Sequence, residues 1–317
     1  MTKMAVIEIA SRGTVVSVRD RLLAIGDARL HVDDIDLVIV QVPAVTLTGD
    51  ALALLGRAGI DVVICDDRRK PLSTLVPVCG SAIVSARLLR LQAAMIPRRR
   101  AALWRGLVRA KITEQARVLD TIDGALSSPR AARLRKLAEG VEAGDPENLE
   151  AQAARLYWPA LMGAAFRRHG GSEADTMLDF GYAVLRAVVA RRLHGAGLHR
   201  SLGLHHDNAE NDGNLADDLI EPFRPAVDRL VLALVNRRGG EEAMSLDPKI
   251  RTALAEVTDW PVYMGGEWIR LRTAVARVAL SLRAVVEGGP ARLDLPEKIG
   301  SVEDARRMAE DVGIGIL

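Results

Sequence analysis

The sequence predicts an α+β protein: a small β-rich (β-sandwich-like) N-terminal domain followed by a larger all-α C-terminal domain. Three observations predict it. Short apolar runs separated by Gly, Asp and Ser fill the first part, whereas from Ala82 onward apolar residues recur at helical spacing. Aromatic residues make up only 3% of the chain and Ala, Leu and Val supply much of the apolar fraction, which suits closely packed helices. At 317 residues the chain exceeds the usual size of one hydrophobic core, so two domains are expected, 1–78 and 79–317.

β-Segments read at 5–9, 14–18, 21–25 and 37–41. Thr48 or Asp50 caps the run ALALLGRAG, a short helix stopped by Gly59, and IDVVICD reads as a buried strand. Residues 67–80, with Pro71, Pro77 and Gly80, read as a linker. Amphipathic helices follow over 82–95, 99–122 and 130–142. Asp145 as N-cap and Pro146 at the first helical position open another helix, which runs to a stop at Gly170-Gly171. TMLDFGYAVLRAVVARRLHGAG and EPFRPAVDRLVLALVNRRGG give two more, each ended by Gly.

Composition excludes several classes. Cys65 and Cys79 sit in apolar surroundings with no CxxC pair, so they read as buried or free thiols of a reducing compartment. MTKMAVIEIA has too short an apolar run for a signal peptide and no apolar stretch reaches membrane-spanning length, so the expected location is the cytoplasm. GxxxxGK[ST], GxGxxG after a strand, HExxH and GxSxG are all missing, which removes nucleotide-cradle, Rossmann, zincin and serine-hydrolase readings. A net charge of +2 is uninformative, but residues 87–117 carry nine Lys or Arg against the single acid Glu114, which fits a polyanionic partner or a solvated basic helix face.

The chemistry concentrates in GLHHDNAENDGNLADDLIEPFRP, residues 203–225. His205 to Glu221 holds two histidines and six carboxylates in seventeen residues with no Lys or Arg. Such an excess of negative ligands calls for a counter-charge, and carboxylates with an imidazole suit Mg²⁺ or Mn²⁺, the imidazole favouring Mn²⁺. His205 and His206 are adjacent, so in an extended stretch only one can face a given ion. Capping and the helix macrodipole account for one or two of Asp217, Asp218 and Glu221. From outside the segment, Glu150 is the candidate acid, set among small and apolar neighbours on a helix.

LEAQAARLYW, FGYAVLRAVVARRLHGAGL and LGLHH…LADDLIEPFRP, in this order, with LWRGLVRAKITEQARVL before them, resemble the CRISPR-associated integrase (Cas-one) family over effectively the whole chain. The block at 101–119 looks most like the variants accompanying a single-protein RNA-guided effector. Asp179-Phe180 departs from the Asn-Tyr of many relatives. The resemblance implies a DNA endonuclease and integrase of antiviral defence, which inserts spacer DNA into a CRISPR array by 3′-hydroxyl attack on a repeat phosphodiester. It matches Glu150, His206 and Glu221 to the catalytic metal ligands, holding Mg²⁺ or Mn²⁺, with Asp218 beside them. Arg98, Arg99, Arg100, Lys111, Arg167 and Arg168 are the residues expected at DNA phosphates. Double-stranded DNA, a second copy through the β domain, and a small second subunit are the implied partners. Two other readings compete: a non-catalytic DNA-binding scaffold, and a helical metalloenzyme acting on a small phosphorylated molecule.

Overall fold

Strand-forming runs and the turns between them build the N-terminal part. The computed structural model describes residues 5–67, 71–75, 86–123, 128–237 and 246–310. Its first strands are β1 (Ala5–Ile9), β2 (Val15–Arg19), β3 (Leu22–Ile25), β4 (Ala28–Leu30), β5 (Ile35–Val40) and β6 (Thr46–Leu47). α1 (Gly49–Arg57), capped by Thr48, leads to β7 (Asp61–Cys65) and β8 (Pro71–Leu75). Two four-stranded sheets result, β1-β5-β7-β8 and β4-β3-β2-β6. β1, β5 and β7 are parallel and β8 returns antiparallel along β7. The stretch expected as a linker therefore contains a sheet strand at 71–75; Cys79 and the expected 78/79 boundary lie outside the described residues.

Alternation along β5 explains its nearly unbroken apolar sequence, since parallel strands are covered on both faces. Val38 and Val40 share a core with Val16, Leu23 and Leu55, whereas Leu37 and Ile39 belong to the core of the helical part. β7 divides in the same way, Val62 to one core, Val63 and Cys65 to the other. Burial pushes the Cys65 thiol up to about 11, which disfavours its thiolate at neutral pH.

The remainder is mostly helical: α2 (Ala86–Ala93), α3 (Pro97–Asp123), α4 (Pro129–Gly140), α5 (Leu149–Met162), α6 (Glu173–Gly195), α7 (Asn214–Leu219), α8 (Arg224–Arg237) and α9 (Pro248–Ala255). α6 is apolar on nearly every side and occupies the centre of the bundle. Its Gly181 lets α8 approach: a Cβ there would stand 2.5 Å from Val227 Cγ1. None of the described helices is long and apolar enough to cross a membrane.

Two expectations are corrected. α5 starts at Leu149, three residues after Pro146, because Asp145 and Asn148 both adopt positive φ and close a turn in front of it. Asp145 still caps, its carboxylate accepting from Leu149 N at 2.9 Å and Glu150 N at 3.0 Å. The same helix ends at Met162, where Gly163 turns to φ 91°, well before Gly170. Within the helical part, β9 (Pro261–Met264), β10 (Glu267–Arg270) and, after α10 (Leu271–Val286), β11 (Lys298–Ile299) form a small sheet ahead of α11 (Val302–Glu310). Strands this short, set between helices, leave no periodicity to read.

Candidate metal centre

α3 is the wall on which the site is built. Trp104 and Lys111 lie seven residues apart, two turns along one face. That face meets the His205-His206 loop through Trp104, and α5 and the 221–223 turn through Lys111.

Lys111 Nζ donates to Glu150 Oε1 at 2.6 Å and forms an ion pair with Glu221 Oε2. Glu221 is 3% exposed; its Oε1 accepts from Arg224 Nε at 2.8 Å, while Oε2 is buried with no hydrogen bond of good geometry. Burial pushes the Glu221 carboxyl up, but Lys111 and Arg224 outweigh it and hold it below the usual range. Burial likewise works against the Lys111 charge, and Glu221 and Glu150 hold its amine above the ordinary value. Arg224 also lies 4.4 Å over the Tyr182 ring. Tyr182 and Tyr157, the latter at 2.8 Å, donate to Asp228, which burial pushes up to about 6.

The histidine loop is wound around Asp218, a fully buried carboxylate. Oδ2 accepts from Leu204 N at 2.5 Å and His205 N at 3.2 Å; Oδ1 accepts from His206 N at 3.2 Å and lies 2.7 Å from His206 Nδ1. Gly203 is required, since its Cβ would fall 2.2 Å from His206 O. The bond to Asp218 holds His206 above its ordinary pKa despite burial. With Nδ1–H directed at Asp218, Nε2 is the nitrogen left to bind an ion. His205 lies flat on Trp104, centroids 4.3 Å apart and planes 1° apart, and His206 meets the same ring edge-on at 5.8 Å. The stretch is a turned loop that sets both rings on one tryptophan, so the alternation of an extended strand does not apply to this pair.

The counter-charges that the segment lacks come from elsewhere in the fold. Arg186 pairs with Asp217 at 2.6 Å, Arg200 with Asp212, and Lys111 and Arg224 with Glu221. Of the residues expected at DNA, Arg98 and Arg167 are exposed and Arg100 is half-buried. Arg99 instead donates to Val285 O at 3.0 Å and to Gly289 O at the end of α10, Arg168 bridges Asp175 and Asp179, and Lys111 is 9% exposed between its two glutamates. Among the described residues, the trio of His, Asp or Glu with ligand atoms all within 4.8 Å of one another is His169, Asp175 and Asp179; Glu150, His206 and Glu221 stand more widely spaced. Their donor set nevertheless fits a divalent ion: two carboxylates from separate elements, one oriented imidazole, and a cation already accommodated between the acids. Sequence reasoning missed Trp104 and the inward role of Lys111; their seven-residue spacing on a helix was the available signal.

The family model for CRISPR associated protein Cas1 matches residues 5–255. The CRISPR-associated endonuclease Cas1 of Neisseria meningitidis serogroup C is 34% identical over 266 residues, covering 84% of this chain and 86% of that protein. CRISPR-associated endonuclease Cas1 2 of Pyrobaculum aerophilum is 27% identical over 262 residues, covering 78% and 88%. Among solved structures, a casposase bound to integration product superposes with TM-score 0.75 at 21% identity over 98% of this chain and 99% of that one. A CAS1 protein from Thermotoga maritima gives TM-score 0.70 at 20% identity over 94% and 99%. A Cas6-RT-Cas1–Cas2 complex gives 0.70 at 16% over 94% of this chain and 36% of that chain.

Proposed function

The chain belongs to the CRISPR-associated protein Cas1 family, and we propose that it is a divalent-metal-dependent DNA endonuclease and integrase whose centre is Glu150, His206 and Glu221. The observation that carries this reading is the convergence of Glu150 and Glu221, from two separate elements, on one cationic group beside an imidazole aimed by Asp218. The ion, Mg²⁺ or Mn²⁺, would act as Lewis acid on the phosphoryl oxygen and as a template for in-line attack.

In the joining reaction, the 3′-hydroxyl oxygen of an incoming strand forms the new P–O bond and the 3′-oxygen of the cut repeat strand leaves; water in place of the hydroxyl gives cleavage. Asp218 fixes the tautomer and direction of His206, Arg224 fixes Glu221, and Asp145 holds the first turn of α5 that carries Glu150. Arg98, Arg100 and Arg167 meet phosphates without reading sequence, so affinity falls with salt. The casposase is described with integration product and another neighbour with Cas2, which supports double-stranded DNA and a small second subunit as partners. The N-terminal sheets are the surface proposed for a homodimer.

The test is transfer of a short duplex with free 3′-hydroxyls into supercoiled DNA carrying a CRISPR repeat, with Mn²⁺ and the small subunit, in wild type and His206→Ala. Joined products lost in the variant are expected. Wild type that binds DNA but never joins or cuts it would replace this reading with the scaffold.

A further inference from the structure

Lys111 stands where the proposed ion would. Its ammonium touches carboxylates from two elements at once, Glu150 in the first turn of α5 and Glu221 after α7, and it reaches them from a helix face packed by Leu107, Val108 and Ile112. Exposed lysines move freely between partners. This one is 9% exposed, and its withdrawal would leave Glu150 without that partner and Glu221 with Arg224 as its remaining cation. Glu221 Oε2 is met by the Lys111 ammonium, whereas Oε1 accepts from Arg224.

We propose that Lys111 is a positioning residue that holds Glu150 and Glu221 together before the divalent ion binds and competes with that ion for their oxygens. The inference rests on the metal reading above. Glu150 and Glu221 would hold the ion through the same carboxylates that Lys111 Nζ now meets, so a bound ion would compete with the ammonium for them. The sign of its effect follows. Without metal, neutralising Lys111 weakens the fold because the carboxylates repel; with metal, it strengthens binding because no ammonium has to be displaced. A lysine that only supported the fold would lose both together.

The experiment titrates Mn²⁺ into the purified full chain and follows the electron paramagnetic resonance signal of the free aquo ion. Thermal unfolding with and without Mn²⁺ accompanies it, in wild type, Lys111→Met, Lys111→Arg and Glu221→Gln. Lys111→Met is expected to melt lower without metal, to gain more on adding Mn²⁺, and to bind it roughly tenfold more tightly. Lys111→Arg, keeping the charge, is expected to return to wild-type affinity. Should Lys111→Met not fold, Lys111→Gln is measured in the same way. Binding by the neutral variant that is equal to or weaker than wild type, while Glu221→Gln abolishes binding, overturns the role of Lys111 and leaves the metal centre standing. Wild-type binding untouched by Glu221→Gln overturns both.

Discussion

Among the described residues, Arg168 and Lys111 each bridge a pair of carboxylates, and the two pairs differ in their burial and in their other partners. Near the start of α6, Arg168 spans Asp175 and Asp179, with His169 beside them, all three potential ligand atoms within 4.8 Å. Yet Asp175 already accepts from His169 N at 3.0 Å and Gly171 N at 3.1 Å, and the Asp179 side chain is 51% exposed. An ion there would have to displace loop hydrogen bonds and a guanidinium whose donor geometry suits carboxylates. Glu150 and Glu221 are more widely spaced, but Glu221 is buried and its Oε2 is met by the Lys111 ammonium, which also meets Glu150. On the proposed reading, carboxylates from separate elements that converge on one buried cation are a better guide to a cation site than closeness of ligand atoms.

That contrast breaks most directly by mutation. Glu221→Gln is expected to lower DNA joining and cleavage about a thousandfold or more, ~4 kcal/mol in the barrier, with loss of Mn²⁺ binding. Asp179→Asn should change neither beyond about twofold. If Asp179→Asn removed Mn²⁺ binding while Glu221→Gln kept it, the two clusters would exchange roles.

Asp218 and Asp175 sharpen the comparison because both organise a loop by accepting backbone N–H groups, but only Asp218 also orients an imidazole of the proposed centre, that of His206. Asp218→Asn leaves the buried Leu204 N–H and the part-buried donors of His205 and His206 poorly paired, at a cost of about 3 kcal/mol in urea unfolding, and slows joining about a hundredfold through His206. Asp175→Asn, whose backbone partners His169 and Gly171 are exposed, should cost about 1–2 kcal/mol and leave joining nearly unchanged. Equal losses of activity in both would mean that loop order, and not the aim of His206, sets the rate.

How much of this was legible in the sequence differs between the two clusters. The helices with strong periodicity appeared near their observed bounds, α3 and α4 among them, as did β1 and β7. The start of α5 did not, because Asp145-Pro146 carries a capping signal that the positive φ of Asp145 and Asn148 overrides. Glu150, His206 and Glu221 could be named because their types and order are distinctive. That Glu150 and Glu221 meet at Lys111 depends on the packing of α3 between α5 and the 221–223 turn, which no local pattern encodes. The basic run on α3 was read as one outward charge, yet Arg99 and Lys111 turn inward onto Gly289 and the glutamates.

A third buried carboxylate separates burial from partner chemistry. Glu221 is met by two cations and lies below its usual pKa, whereas Asp228 is met by two tyrosine hydroxyls and burial pushes it up to about 6. Asp228 therefore binds its proton more tightly folded than unfolded, so its contribution is greatest below about pH 4 and is lost as pH rises toward 6. Asp228→Asn should flatten that decline and, in the metal-free protein, stabilise it at pH 7 by at most roughly 3 kcal/mol. Glu221 has the opposite sign: its contribution is present above the unfolded carboxylate value and lost as pH falls through its lowered folded value. Urea unfolding with chelator at pH 4, 5 and 6.5 checks both, and an unchanged slope in Asp228→Asn would show that the hydroxyls, and not burial, dominate there.

The smallest expected effect separates histidines that touch the centre from one that does not. His205 covers the buried Trp104 face while His206 meets its edge, so the stack orients the loop that carries the proposed ligand His206. An aromatic contact of this kind is worth about 1 kcal/mol, so His205→Ala should slow joining somewhat less than tenfold with KM for DNA unchanged. His205→Phe keeps the flat ring and no ligand nitrogen, and should restore the rate. His169→Ala, at the exposed cluster on α6, should have no effect. If His205→Phe remained as slow as His205→Ala, the imidazole of His205 would itself be needed, and the division of labour between the two adjacent histidines would have to be redrawn.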